Sequence, residues 1–147
     1  MNILIIEDNQ LKREKVREFV KTSFDANLFE ACSYNSGVKT AIANDFDFII
    51  LDMSMPTFDR TDATNGGRFR AIGGKEIASK LFKIKRLVPF AVLTGYKDFS
   101  VDARNLSIEE IDELLKSVGD NYRGCVLYDV AESGWKEKLF EIIRRVS

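Results

Sequence analysis

Hydrophobic residues are distributed along this chain in two alternating rhythms. Short unbroken runs occupy Asn2 to Ile6, Leu28 to Cys32, Phe46 to Leu51, Pro89 to Leu93 and Gly124 to Tyr128. Their length and aliphatic content are those of strands buried on both faces. Between them, apolar residues recur at the three- and four-residue spacing of a helix with one buried stripe. Val16, Phe19 and Val20 share such a face, as do Val38, Ala41 and Ile42 within 36–43, and Ile77 and Leu81 within 74–84. The stretch Ser107-Ile-Glu-Glu110 reads as a capping box ahead of a stripe at Ile108, Ile111, Leu114, Leu115 and Val118, and Gly119 predicts where that helix stops. A last helix is expected from an N-cap at Ser133 through Leu139, Ile142, Ile143 and Val146. Arg144 and Arg145 lie at its end, where the helix dipole favours positive charge. Strand and helix alternating five times predict right-handed crossovers and a doubly wound five-stranded parallel sheet, an α/β fold covered on both faces.

Length sharpens this picture. At 147 residues, 45% of them hydrophobic and without repeats, low-complexity tracts or linkers, the chain is expected to form one domain over 1–147 around one core. The formal net charge of -1 comes without any block of like charges, so neither nucleic acid nor an anionic membrane surface is an expected partner. No apolar run approaches the ~20 residues of a membrane span, and Met1 leads straight into a strand, so a cytoplasmic location is expected. Cys32 and Cys125 sit in apolar stretches without a CxxC neighbour and are expected to be buried, inert thiols. The absence of histidine removes Ser/His and Cys/His nucleophilic catalysis, imidazole metal ligation and phosphohistidine chemistry within the chain. Carboxylates, hydroxyls and amines remain.

The segment "FIILDMSMP", 48–56, runs four apolar or aromatic positions toward a bare carboxylate, Asp52. In an open parallel sheet, reactive groups gather where loops leave the carboxyl ends of the strands. Glu7 and Asp8 follow the first strand, Asp52 the third and Thr94 the fourth, so all four emerge on one edge. Any one of these acids alone is an ordinary cap or turn residue. Three converging carboxylates repel and raise one another's pKa unless a hard divalent cation neutralises them, and magnesium is the natural candidate.

These residues resemble the receiver domain of two-component response regulators. "ILIIEDNQ" is similar to the family's acidic pair, "LDMSMP" to its phosphoacceptor Asp with the following Met-Pro, and "VLTGY" to its hydroxyl residue followed by a small one. The resemblance implies a flavodoxin-like (βα)5 fold with strand order 2-1-3-4-5. It implies that Asp52 accepts a phosphoryl group with Mg2+ present. The metal would be bound by Asp8 and Asp52, by Glu7 partly through water, and by the main-chain carbonyl of Ser54. Thr94 would hydrogen-bond a phosphoryl oxygen, with Gly95 leaving room. The implied donor is a histidine kinase or phosphotransfer protein, and the output passes to an unknown downstream protein through protein contacts, because the chain ends with its fifth helix and no output domain is expected. Activity of its own would be limited to self-phosphorylation and self-dephosphorylation.

Three departures from that family stand out. The lysine and proline expected at the end of the fifth strand are replaced by Tyr128 and Asp129, and the aromatic switch position falls on Cys125. A charge-assisted hydrogen bond contributes ~1.5 to 3 kcal/mol, so the phosphorylated state is expected to be weakened unless another cation covers the phosphoryl group. Lys97 on the loop after Thr94, and Arg60, Arg68 or Arg70, are the candidates. These arginines belong to the second departure, an inserted loop over 57–73 in which "NGG" is expected to turn a small hairpin. The third is a long segment from Tyr96 to Arg123, where the fourth helix and its approach are extended. Two other classes compete with the phosphoaccepting receiver. One is a pseudo-receiver that serves as an interaction module and is never phosphorylated. The other is a phosphohydrolase of the haloacid dehalogenase type, which carries a second acid two residues after its nucleophile, where this chain has Ser54.

Overall fold

The apolar runs pair side by side into one parallel sheet. A computed structural model describes residues 1–95, 98–101 and 104–147, with backbone alone at 98–101 and 104–106. In chain order the elements are β1 (Asn2–Ile6), α1 (Gln10–Ser23), β2 (Asn27–Ala31), α2 (Tyr34–Ala43), β3 (Phe48–Leu51), β4 (Met55–Pro56), β5 (Phe69–Arg70) and α3 (Gly73–Lys83). There follow β6 (Phe90–Thr94), β7 (Asp98–Val101), β8 (Arg104–Ser107), α4 (Ile108–Lys116), β9 (Tyr122–Leu127) and α5 (Gly134–Arg144). The five-stranded sheet has the order β2-β1-β3-β6-β9, which is 2-1-3-4-5 when the sheet strands alone are counted, as the resemblance implies. Strand boundaries move from the expected ones by up to two residues.

Alternation along each strand explains why the runs are unbroken, since successive side chains enter opposite layers. Leu4, Ile6, Ile49, Leu51, Phe90 and Val92 pack beneath α2, α3 and α4, against Ala41, Ile77, Leu81, Ile111 and Leu115. Ile3, Ile5, Phe48, Ile50, Ala91 and Leu93 pack beneath α1 and α5, against Val16, Val20, Trp135, Leu139 and Ile143. The register aligns the strand ends that carry the chemistry. Ile6 pairs with Leu51, and Leu51 with Val92, so Glu7, Asp52 and Thr94 leave the sheet on one edge.

Two antiparallel hairpins are added to this frame. In the inserted loop, β4 pairs with β5, and Thr61 bridges Thr64 so that Asp62 and Ala63 form the tip. The expectation that "NGG" makes the turn is corrected. Gly66, at φ 97°, lies on the returning limb, where a Cβ would come within 2.7 Å of the Pro56 side chain. Close approach, rather than reversal of the chain, explains this glycine. Asp59 anchors the loop, its Oδ1 accepting from the hydroxyls of Ser33 (2.6 Å) and Ser36 (2.7 Å) at the start of α2. The second hairpin, β7 with β8, lies in the extended stretch before α4, where only helix and approach were expected.

The capping box at Ser107 and Glu110 is present, whereas Ser133 stands at the start of α5 without a side-chain capping bond. Both cysteines are half-buried rather than buried, and burial raises both thiol pKa values, that of Cys125 to about 12. Among the described residues, no helix is long and apolar enough to cross a membrane.

Candidate functional site

The sheet ladder continues one residue past β1 and β3. Glu7 N–H donates to the Ala31 carbonyl at 2.9 Å, and Asp52 N–H to the Ile6 carbonyl at 3.1 Å, which brings both acids to the same depth at the sheet edge. Each is almost enclosed, with 4% of Glu7 and 6% of Asp52 exposed. Asp8 beside them is only partly covered. One carboxylate oxygen from each of Glu7, Asp8 and Asp52 lies within 4.8 Å of the others. The two oxygens of Asp52 differ in surroundings. Oδ1 accepts the Met53 N–H at 2.7 Å, and Oδ2 faces a cation described below. Ser54 is buried in the loop that follows.

The first turn of α3 supports this loop from behind. Gly74 N–H donates to the Met53 carbonyl at 2.8 Å, and a Cβ at Gly74 would fall 2.3 Å from the Asp52 carbonyl oxygen. Thr94 ends β6, wholly buried, and its Oγ1 has no hydrogen-bond partner among the described residues. A buried hydroxyl without a partner is costly, and the cost falls away if a ligand oxygen arrives. Beside it Gly95 leaves space, because among the described residues a Cβ there would meet nothing nearer than the Tyr128 carbonyl oxygen at 3.8 Å.

One residue at this site escapes the sequence reading. Lys12, in the first turn of α1, is only 8% exposed and sends its Nζ into the acidic cluster. Nζ donates to the Leu93 carbonyl at 2.6 Å and lies 2.6 Å from Glu7 Oε1 and 3.4 Å from Asp52 Oδ2. It also stands 5.4 Å over the Tyr128 ring. A signal was available in the helix phase: Lys12, Val16 and Val20 are spaced by four, so the lysine falls on the buried stripe of α1. Burial, with the Asp52 charge added and Lys12 opposing, raises the Glu7 pKa to about 7.

The expected stand-in cations separate. Arg60 reaches the cluster through Asp8, with NH1 3.0 Å from Oδ2. Arg70 is turned elsewhere, paired with Glu76 at 2.7 Å and stacked 4.1 Å from the centre of the Tyr34 ring. Arg68 is exposed, and Lys97 lies outside the described residues. Tyr128 is buried against Trp135 with ring centroids 5.1 Å apart, and Asp129 is exposed, so neither places a positive charge at the end of β9. Cys125 pairs in register with Val92, and the nearby aromatic Tyr122 donates its hydroxyl to Asp112.

Oxygen ligands of an octahedral Mg2+ at ~2.0 to 2.1 Å stand roughly 3 to 4 Å apart, so three hard carboxylate oxygens within 4.8 Å fit that ion after a small contraction.

No protein-family model matches the chain. Two curated relatives align with nearly all of it. The Detocs response regulatory protein DtcB of Enterobacter cloacae is 29% identical over 147 residues, covering 97% of this chain and 98% of that protein. The uncharacterized protein y4jR of Sinorhizobium fredii is 27% identical over 143 residues, covering 95% and 94%. Among solved structures, the chemotaxis response regulator CheY4 of Vibrio cholerae superposes with a TM-score of 0.67 at 19% identity, covering 99% of this chain and 98% of that one. The response regulator TrrA of Thermotoga maritima, solved in complex with Mg2+-BeF, gives 0.64 at 20% identity, covering 96% and 97%. The chain therefore has the fold of response regulator receiver domains.

Proposed function

We propose that this receiver-fold chain accepts a phosphoryl group on Asp52 Oδ2 from a phosphohistidine of a kinase or phosphotransfer protein, or from a small acyl phosphate, and signals through protein contacts. The observation that carries this reading is Thr94 Oγ1, fully buried at the end of β6 beside Asp52 and without a hydrogen-bond partner among the described residues. Met53 N–H holds Oδ1 and leaves Oδ2 as the attacking atom. The new O–P bond forms as the donor's bond to phosphorus breaks: from phosphohistidine the P–N pair remains with the imidazole nitrogen, which takes up a proton, and from an acyl phosphate the P–O pair leaves with the carboxylate. Transfer of this kind depends on orientation and on charge neutralisation around the three phosphoryl oxygens. Asp8, Asp52, Glu7 and the Ser54 carbonyl would hold Mg2+, which supplies part of that neutralisation when bound. The Thr94 hydroxyl would donate to one phosphoryl oxygen, and Gly95 would leave it space.

Incubation with acetyl phosphate and magnesium, followed by intact mass measurement, tests this. Wild type should gain one hydroxylamine-labile phosphoryl group, Asp52→Ala none, and Asp8→Ala much less. Arg60 already lies on Asp8, which favours the pseudo-receiver as the second reading. A wild type that stays unmodified would select it.

A further inference from the structure

We propose that Lys12 is the phosphoryl-site cation of this protein, delivered from helix α1 instead of from the end of β9. The proposal rests on the phosphoacceptor reading of Asp52. It starts from the way the side chain is held. Asn9 caps α1, its Oδ1 accepting the Lys12 N–H at 3.0 Å, which fixes the lysine backbone in the first turn. Side chains on a helix lean toward its N-terminus, so a long one in that turn reaches back over the strand ends. Lysine is almost never buried without partners, because an enclosed ammonium loses its hydration. Here Nζ donates to Leu93 O, pairs closely with Glu7 Oε1 and, as the longest contact, forms an ion pair with Asp52 Oδ2 at 3.4 Å.

That third contact lies on the atom assigned to attack phosphorus. Once Oδ2 bridges to phosphorus it carries less charge, and the negative charge moves to the phosphoryl oxygens beyond the phosphorus. An ammonium still tethered by Leu93 and Glu7 can transfer its third N–H to one of them. Two short contacts hold the group, and one long contact is free to exchange. A lysine that merely balanced Glu7 would have no need of Asp52.

Tyr128 accounts for the route from α1. Its N–H donates to the Thr94 carbonyl at 2.7 Å, and its ring, wedged against Trp135, lies beneath Lys12 Nζ. The ring occupies the end of β9 and presents a π face to the ammonium, a favourable arrangement for a cation. Aromatic floor and lysine therefore work as a pair, and moving the charge from α1 to β9 should partly restore what removing it costs.

The test compares wild type, Lys12→Met, Lys12→Gln and the double variant Lys12→Met with Tyr128→Lys, using acetyl phosphate with magnesium and intact mass. Magnesium alone is titrated in parallel. Loss of a charge-assisted contact predicts that both single variants gain the phosphoryl group about tenfold more slowly, or lose it about tenfold faster. Their magnesium affinity should be unchanged or higher, since a competing positive charge has gone from Glu7 and Asp52. A merely structural role would weaken magnesium binding along with phosphorylation. Lys12→Gln can keep hydrogen bonds to Leu93 and Glu7, so it provides a folded variant should Lys12→Met not fold. The double variant should recover part of the lost occupancy. Wild-type phosphorylation and decay in the single variants would overturn the role of Lys12 alone. A wild type that takes no phosphoryl group would overturn the Asp52 reading and the role of Lys12 with it.

Discussion

At the scale of residues, burial sets the protonation of Glu7. Its pKa rises from 4.5 to about 7 because burial and the neighbouring Asp52 charge outweigh Lys12. A carboxyl of this kind binds its proton more tightly in the folded than in the unfolded chain. Its stabilising contribution is therefore complete below about pH 4.5 and is lost as pH rises through about 7. Magnesium-free protein should lose on the order of a few kcal/mol across that window, several degrees in Tm. Glu7→Gln, which cannot ionise, should show a flatter profile. Thermal unfolding of both proteins from about pH 5 to 8 measures the difference, and parallel curves would mean that Glu7 does not titrate there. The sequence already marked Glu7, Asp8 and Asp52 as a converging set, since each follows a strand. Lys12 stayed hidden among the charges of "NQLKREK" because its importance depends on helix phase, which charge counting does not register.

At the scale of elements, the tightest junction lies between the first turn of α3 and the loop after β3. A Cβ at Gly74 would stand 2.3 Å from the Asp52 carbonyl oxygen and 2.5 Å from Leu51 Cδ1. The carbonyl oxygen cannot yield without moving the strand end or the helix. Gly74→Ala should therefore destabilise the protein by about 1 to 3 kcal/mol or more, in the range of overpacked cores. It should also weaken magnesium binding, because Asp52 shifts with its backbone. Denaturant unfolding and magnesium titration of the variant check both effects, and a fully stable variant with wild-type affinity would show that the junction is loose. The inserted hairpin shows the limits of local reading. "NGG" has the chemistry of a turn, yet the tip forms at Asp62 and Ala63. Gly66 is required instead by contact with Pro56, a partner ten residues away that no turn propensity encodes.

At the scale of the whole molecule, one sheet separates two apolar layers, and α2, α3 and α4 bury one face while α1 and α5 bury the other. Leu115 and Leu139 are fully buried in opposite layers. Replacing either by alanine should cost about 2 to 5 kcal/mol, because removing a buried leucine side chain leaves a cavity as well as losing transfer energy. Since both layers rest on the same strands, each variant should unfold in a single transition at lower denaturant, followed by circular dichroism and Trp135 fluorescence together. Separate midpoints from the two probes would show that the layers unfold independently. The site belongs to this scale too. Its acids come from the ends of β1 and β3 and its hydroxyl from β6, which the parallel register brings to one edge, and its lysine comes from α1, which packs against the sheet.

The sequence by itself determined the alternation of strand and helix, the parallel sheet, the acidic edge and the positions of Asp52 and Thr94. Each of these follows from spacing within a few residues, and backbone geometry converts spacing directly into a face or an end. Tertiary structure alone decided where the site's positive charge comes from. Lys12 and Leu93 are 81 residues apart, and Arg60 and Asp8 are 52 apart. Such contacts depend on helix packing and loop docking, so no local pattern specifies them. The end of β9 has no lysine, yet the folded chain has a cation at Asp52, because a side chain on the buried face of α1 reaches the strand ends once α1 packs against the sheet.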